Sequence, residues 1–112
     1  MTEIAPGKDL VTLVNVFMVA PENQQRLLEV LVEATQKVIR HMPGFISANF
    51  HRSLDGTRVL NYAQWRRRED LDAMLQHPDA LPHLQEAARL ATFEPRLHEV
   101  VHVDEAASGE RA

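Results

Sequence analysis

Residues 10–18 read LVTLVNVFM, a run rich in β-branched residues and too short for a capped helix, so the sequence predicts a strand there. The parity of that strand is the strongest constraint on the fold. Side chains alternate between the two faces of a strand, yet Val11, Leu13 and Phe17 on one parity are matched by Leu10, Val14, Val16 and Met18 on the other. A sheet with one wet face alternates apolar and polar positions, so a strand apolar on both parities needs cover on both sides. A chain of 112 residues makes one domain with one layer of helices. The second face is then expected to be covered by a second copy of the chain, giving a homodimer packed sheet against sheet.

The rest of the chain supplies the other elements. Pro21 and Glu22 suit a first helical turn, and Leu27, Leu31, Ala34, Val38 and Met42 recur at helical spacing until Pro43-Gly44 stops the helix. Runs 45–53 and 58–66 flank Leu54-Asp55-Gly56-Thr57, a strong hairpin signal. Short helices follow over about 69–76 and 80–91, separated by His77-Pro78, and residues 96–103, RLHEVVHV, are expected as the last strand. The order β-α-β-β-α-β is ferredoxin-like, an α+β fold with a four-stranded antiparallel sheet and helices on one face. The expected domain spans 10–103, with a disordered N-terminus over 1–9 and a polar tail over 104–112.

Several function classes fall away on composition. The chain has no cysteine, which removes thiolate catalysis, disulfides, iron–sulfur clusters and cysteine zinc sites. A net charge of −4 argues against a nucleic-acid partner. No apolar run approaches the ~18 residues of a membrane span, and the start MTEIAPGKDL has no signal-peptide architecture, so a cytoplasmic protein without a membrane partner is expected. The four glycines, at 7, 44, 56 and 109, never cluster into a phosphate loop, which leaves nucleotide and flavin cofactors unsupported.

Three asparagines stand mid-strand, where Asn is depleted: Asn15, Asn49 and Asn61. A buried amide without a partner costs ~1–3 kcal/mol, so each needs a backbone group, a water or a ligand. Parity puts Asn61 on one face with Val59, Ala63 and Trp65, and Asn15 on one face with Leu13 and Phe17. In the second strand, parity alone groups Phe45, Ser47, Asn49 and His51. The six histidines do not show ligand spacing: His98 and His102, four apart on a strand, would stand ~13 Å apart. Among them, His83 could face the sheet and reach a pocket; no strong general base is evident, and His51, His83 or water could serve as one. Arg66-Arg67-Arg68 before Glu69-Asp70 reads as a solvated strand end with acids at a helix N-terminus.

The block Leu60-Asn61-Tyr62-Ala63-Gln64-Trp65, with the following RRREDLDAML and His77-Pro78, the upstream Pro43-Gly44-Phe45 and the Asp55-Gly56-Thr57 hairpin, resembles the antibiotic biosynthesis monooxygenase family over residues 10–103. The resemblance implies a dimeric α+β barrel. It also implies oxidation of an electron-rich aromatic (an anthrone, naphthol or hydroquinone type, polyketide-derived) to a quinone by molecular oxygen, without metal, flavin or haem. In that chemistry the ring loses a proton, its anion passes an electron to oxygen, and the protein favours the anion, excludes water and holds the ring. The family's functional Asn and Trp match Asn61 and Trp65, and Asn15 matches a first-strand Asn used by some members. Phe17, Asn49, His51, Met74 and His83 complete the expected substrate contacts. The chain departs from the pattern at Leu71, where some members have Tyr, at Arg67-Arg68, where a helix-capping Ser or Thr is usual, and at His98, where an aromatic is common. Two alternatives stand beside this reading. One is a haem-degrading monooxygenase of the same superfold, resembled through Asn15 and His83 but with Met74 where that family has Trp. The other is a non-enzymatic barrel that binds a small ligand.

Overall fold

The computed structural model describes residues 1–107; the end of the polar tail expected from 104 lies outside the described residues. The elements follow the order read from the sequence: β1 (Val11–Val19), α1 (Gln24–Lys37), β2 (Phe45–Arg52), β3 (Arg58–Trp65), α2 (Arg68–Leu75), α3 (Leu81–Leu90) and β4 (Ala91–His98). They form one antiparallel sheet in the order β2-β3-β1-β4, with the helices on one face. No described helix is long and apolar enough to cross a membrane.

The first helix is shorter than its apolar stripe. Single turns of 3-10 helix at Pro21–Asn23 and Ile39–His41 flank α1, which buries Leu27, Val30, Leu31 and Ala34 along one side. Its first residue, Gln24, is buried and donates Nε2 hydrogen bonds to the carbonyls of Arg58 at 2.9 Å and Ser53 at 3.1 Å. The helix start is thereby tied to the neck of the β2–β3 hairpin. At the other end, Gly44 has φ +83° and packs against the Asp70 side chain so closely that a Cβ would overlap it. The glycine lets the chain turn into β2 while its carbonyl accepts the Arg66 N–H at 2.8 Å, joining the start of β2 to the end of β3.

The parity expected for β1 and β3 holds. Leu13 and Phe17 pair with Ala63 and Val59, and all four are buried beneath the helices. Two local expectations need correction. The last strand begins at Ala91 rather than at 96, and residues 99–103 form no strand. Pro95 argues against a strand when read locally, but β4 is an edge strand bonded only to β1, where a missing N–H is tolerated. The second correction concerns β2. Phe45 pairs with Trp65 and Ser47 pairs with Gln64, so Ile46 is an extra residue in a bulge. The bulge reverses parity: Phe45, Ala48 and Phe50 share the helix side, while Ser47, Asn49 and His51 face the opposite way.

That outer face carries Val14, Val16, Leu60 and Tyr62, each half-buried, with Met18 44% exposed. Part of it is crossed by residues 1–9, which form no helix or strand. There the Thr2 hydroxyl donates to Asn49 Oδ1 at 2.7 Å, and Gln64 Nε2 donates to the Glu3 carbonyl at 2.7 Å.

Candidate active site

One rung of the sheet defines the site. Asn15 of β1 lies opposite Asn61 of β3, Asn61 lies opposite Phe50 of β2, and Asn15 lies opposite Pro95 of β4. All four side chains line a cavity of about 100 Å³ between the sheet and the helices. The neighbouring rungs are apolar: Leu13 with Ala63 on one side, Phe17 with Val59 on the other. Two amides therefore stand side by side in an otherwise apolar wall.

Their hydrogen bonding is incomplete. Asn61 Oδ1 accepts the backbone N–H of Asn49 at 3.2 Å, which fixes the amide plane, and its Nδ2 has no partner among the described residues. Asn15 Oδ1 is buried with no partner among the described residues. Trp65, 1% exposed, meets Phe45 edge to face with ring centroids 5.4 Å apart, and its indole N–H likewise has no partner among the described residues. Buried polar groups are ordinarily satisfied, so the orphaned Asn15 Oδ1, with the unpaired N–H donors of Asn61 and Trp65 on the same cavity, leaves three polar groups free to meet a ligand.

The cavity is closed by α1, α2 and α3. Met74 and Leu71 of α2 are buried against it, and Leu71 adds an apolar wall with no ionisable group. Leu75 and Phe93, each 42% exposed, and half-buried His83 line its mouth. Phe93 leans on Phe17 with centroids 5.4 Å apart.

Of the eight residues singled out in the sequence, six meet here: Asn15, Phe17, Asn61, Trp65, Met74 and His83. Asn49 and His51 do not. They lie on the outer face beside Leu60 and Tyr62, with Asn49 Nδ2 donating to the Tyr62 carbonyl at 2.9 Å and a His51 ring nitrogen 3.0 Å from the Asn49 carbonyl oxygen. Among the lining residues that the sequence reading did not single out are Phe50, Phe93 and Pro95. Phe50 was hidden by the bulge, whereas Phe93 and Pro95 were hidden by the misplaced last strand. Arg66, Arg67 and Arg68 are exposed, with Arg67 paired to Asp70 at 3.2 Å, as the solvated reading expected. Among the described residues no group of three or more His, Cys, Asp or Glu side chains converges.

Comparison with known proteins bears on this arrangement. The profile of the antibiotic biosynthesis monooxygenases matches residues 10–90. The chain belongs to this family. It is 49% identical to the tetracenomycin-F1 monooxygenase of Streptomyces glaucescens over 112 residues, the whole of both chains. Two solved structures superimpose on it at 27% identity. One is the ActVA-Orf6 monooxygenase of Streptomyces coelicolor in complex with nanaomycin D, with a TM-score of 0.76 over 87% of this chain and 92% of that one. The other is SnoaB, a cofactor-independent oxygenase of Streptomyces nogalater, with a TM-score of 0.69 over 92% of this chain and 100% of that one. This antibiotic biosynthesis monooxygenase family member is an enzyme of the monooxygenase class, with the ferredoxin-like α+β fold its sequence led one to expect.

Proposed function

We propose that the chain is a cofactor-independent monooxygenase that converts an electron-rich polyketide-type aromatic, of the anthrone or naphthol kind, to a quinone. Overall, a ring CH2 and O2 become C=O and H2O. Deprotonation gives a delocalised oxyanion, which reduces O2 by one electron; the resulting radical pair joins through carbon and oxygen, and loss of water from the peroxide leaves the carbonyl. The single observation that carries the proposal is the pair of unsatisfied amides on one apolar wall. Asn61 Nδ2, held by the bond to its own Oδ1, is a ready donor to the oxyanion. Asn15 supplies a second amide, and Trp65 supplies an N–H beside a flat aromatic surface. The relatives support the same chemistry: one is a tetracenomycin-F1 monooxygenase and another a cofactor-independent oxygenase.

The cavity is smaller than the ~300–1,000 Å³ usual for small-molecule sites. A fused-ring substrate would therefore place its reacting ring against the amides and extend past Leu75 and Phe93. A homodimer completes the proposal, with the second copy on the outer face around Val14, Val16 and Leu60. The test is oxygen uptake with anthrone in the presence of a chelator and without flavin, nicotinamide or iron. Turnover to anthraquinone is expected. A dependence on added flavin or metal, or no uptake with any anthrone, naphthol or hydroquinone, refutes it.

A further inference from the structure

The chemistry just proposed begins with loss of a proton, and two amides and an indole are poor acceptors. Leu71 contributes no ionisable group, so the acceptor must come from elsewhere on the cavity wall. Among the lining residues one side chain is titratable, and it is His83. The six histidines of the chain also separate on their hydrogen bonding. His41 and His98 have a ring nitrogen on a nearby backbone carbonyl, and His51 is held the same way on the outer face. His77 accepts the Asp79 N–H, and His102 pairs with Asp104. His83 alone among them has both ring nitrogens without a hydrogen-bond partner among the described residues, and it alone lines the cavity.

We infer that His83 is the catalytic base of this site, taking the acidic hydrogen of a bound phenol or anthrone tautomer onto a ring nitrogen. The substrate O–H bond breaks, its electron pair stays on oxygen, and imidazole becomes imidazolium at the mouth of the cavity. The assignment rests on the oxygenase proposal for its substrate class and on the cavity for its geometry. The carboxylates on the neighbouring helix turns are already paired: Glu33 of α1 with Lys37 at 2.7 Å, and Glu86, one turn along α3, with Arg26 at 3.0 Å and Arg89 at 3.9 Å. The walls from β1, β2, β3, β4 and α2 contribute no titratable group.

Two measurements test this on the whole protein. In the first, kcat/KM for anthrone oxidation is followed against pH for the wild type and for His83→Gln, with His83→Phe as a second variant should the first fold poorly. His83→Gln should lose roughly 10²–10⁴-fold near neutrality, and its pH profile should differ from the wild type's and follow only the ionisation of the substrate itself. Added imidazole should restore part of the rate to His83→Ala. In the second, 4-nitrophenol is titrated in without oxygen, and the anion band of the bound form is read at slightly acid pH. The wild type should hold more of it as the anion than His83→Gln does. Wild-type turnover with an unchanged pH profile and anion fraction in His83→Gln overturns the inference and leaves the oxygenase proposal standing. A His83-dependent anion band without turnover of any aromatic does the reverse. A stoichiometric Soret band with haemin, lost in His83→Gln while 4-nitrophenol remains neutral, overturns it in favour of a haem ligand.

Discussion

Asn15 and Asn61 face each other across the β1–β3 ladder, and both open on one cavity, yet their amides are held very differently. Asn61 is anchored through Oδ1 to the backbone of β2, whereas Asn15 Oδ1 is buried with no bond to any described residue. The difference separates function from stability at the two positions.

Replacing Asn15 by Val should stabilise the fold. The substitution removes a polar atom whose burial without a partner costs ~1–3 kcal/mol and inserts a residue suited to a strand. Thermal unfolding should shift upward while oxygen uptake falls. A lower melting temperature would mean that the amide is satisfied in solution by a group of the protein.

Asn61 should behave in the opposite way. Asn61→Ala removes the donor and orphans the Asn49 N–H, so activity should fall by about 10–10³-fold and stability by roughly 1–3 kcal/mol. Asn61→Asp keeps the acceptor for Asn49 and puts a negative charge where the oxyanion forms. It should fold nearly as well as the wild type and be inactive at neutral pH. Full activity in either variant would remove Asn61 from the chemistry.

Among the described residues, Met74 is the one side chain that lines both the cavity and an outer cleft of about 450 Å³ bounded by Lys37, His41 and His77. Met74→Ala should join the two at a stability cost of ~2–5 kcal/mol. Trp65 is the only tryptophan, so acrylamide quenching of its fluorescence reports the opening and should increase several-fold. Unchanged quenching would show that the neighbours collapse into the space.

The hairpin turn provides a pH prediction. Asp55 accepts hydrogen bonds from the Thr57 hydroxyl at 2.7 Å, the Thr57 N–H at 3.0 Å and the Ser53 hydroxyl at 2.9 Å, and these donors lower its pKa from 3.8 to about 2. A carboxylate depressed by folding stabilises the folded state fully above its unfolded value and loses that contribution as pH falls through the folded one. Asp55→Ala should lower the melting temperature at pH 7, with the deficit shrinking toward pH 2. A carboxyl titration by NMR with its midpoint near 3.8 would contradict this.

The outer face makes the assembly testable. Val16→Glu places a charge amid Val14, Leu60 and Tyr62, away from the cavity. Sedimentation should show two chains for the wild type and one for the variant. A wild type that sediments as a single chain at micromolar concentration would exclude the dimer.

Much of this protein was legible along the chain. The 2.0-residue period of β1 and β3 and the 3.6-residue period of α1 are local signals, and Asp55-Gly56 marks the turn between two strands. These are enough for the β-α-β-β-α-β order and for placing Asn15, Asn61 and Trp65 on the side with Leu13 and Ala63. Parity counts reliably only while a strand is regular, and there the legible part stopped. Ile46 adds one residue to β2, and that single insertion turned Asn49 and His51 to the outer face while bringing Phe50 beside Asn61. Whether Pro95 ends a strand or sits harmlessly in one depends on which strands flank it, a fact about pairing between residues far apart in sequence. The same holds for the histidines. Six imidazoles look alike in the chain, and only packing α3 over the β1–β3 rung gives His83 a cavity to face, because a ligand site is an agreement in space among elements whose local signals do not mention one another.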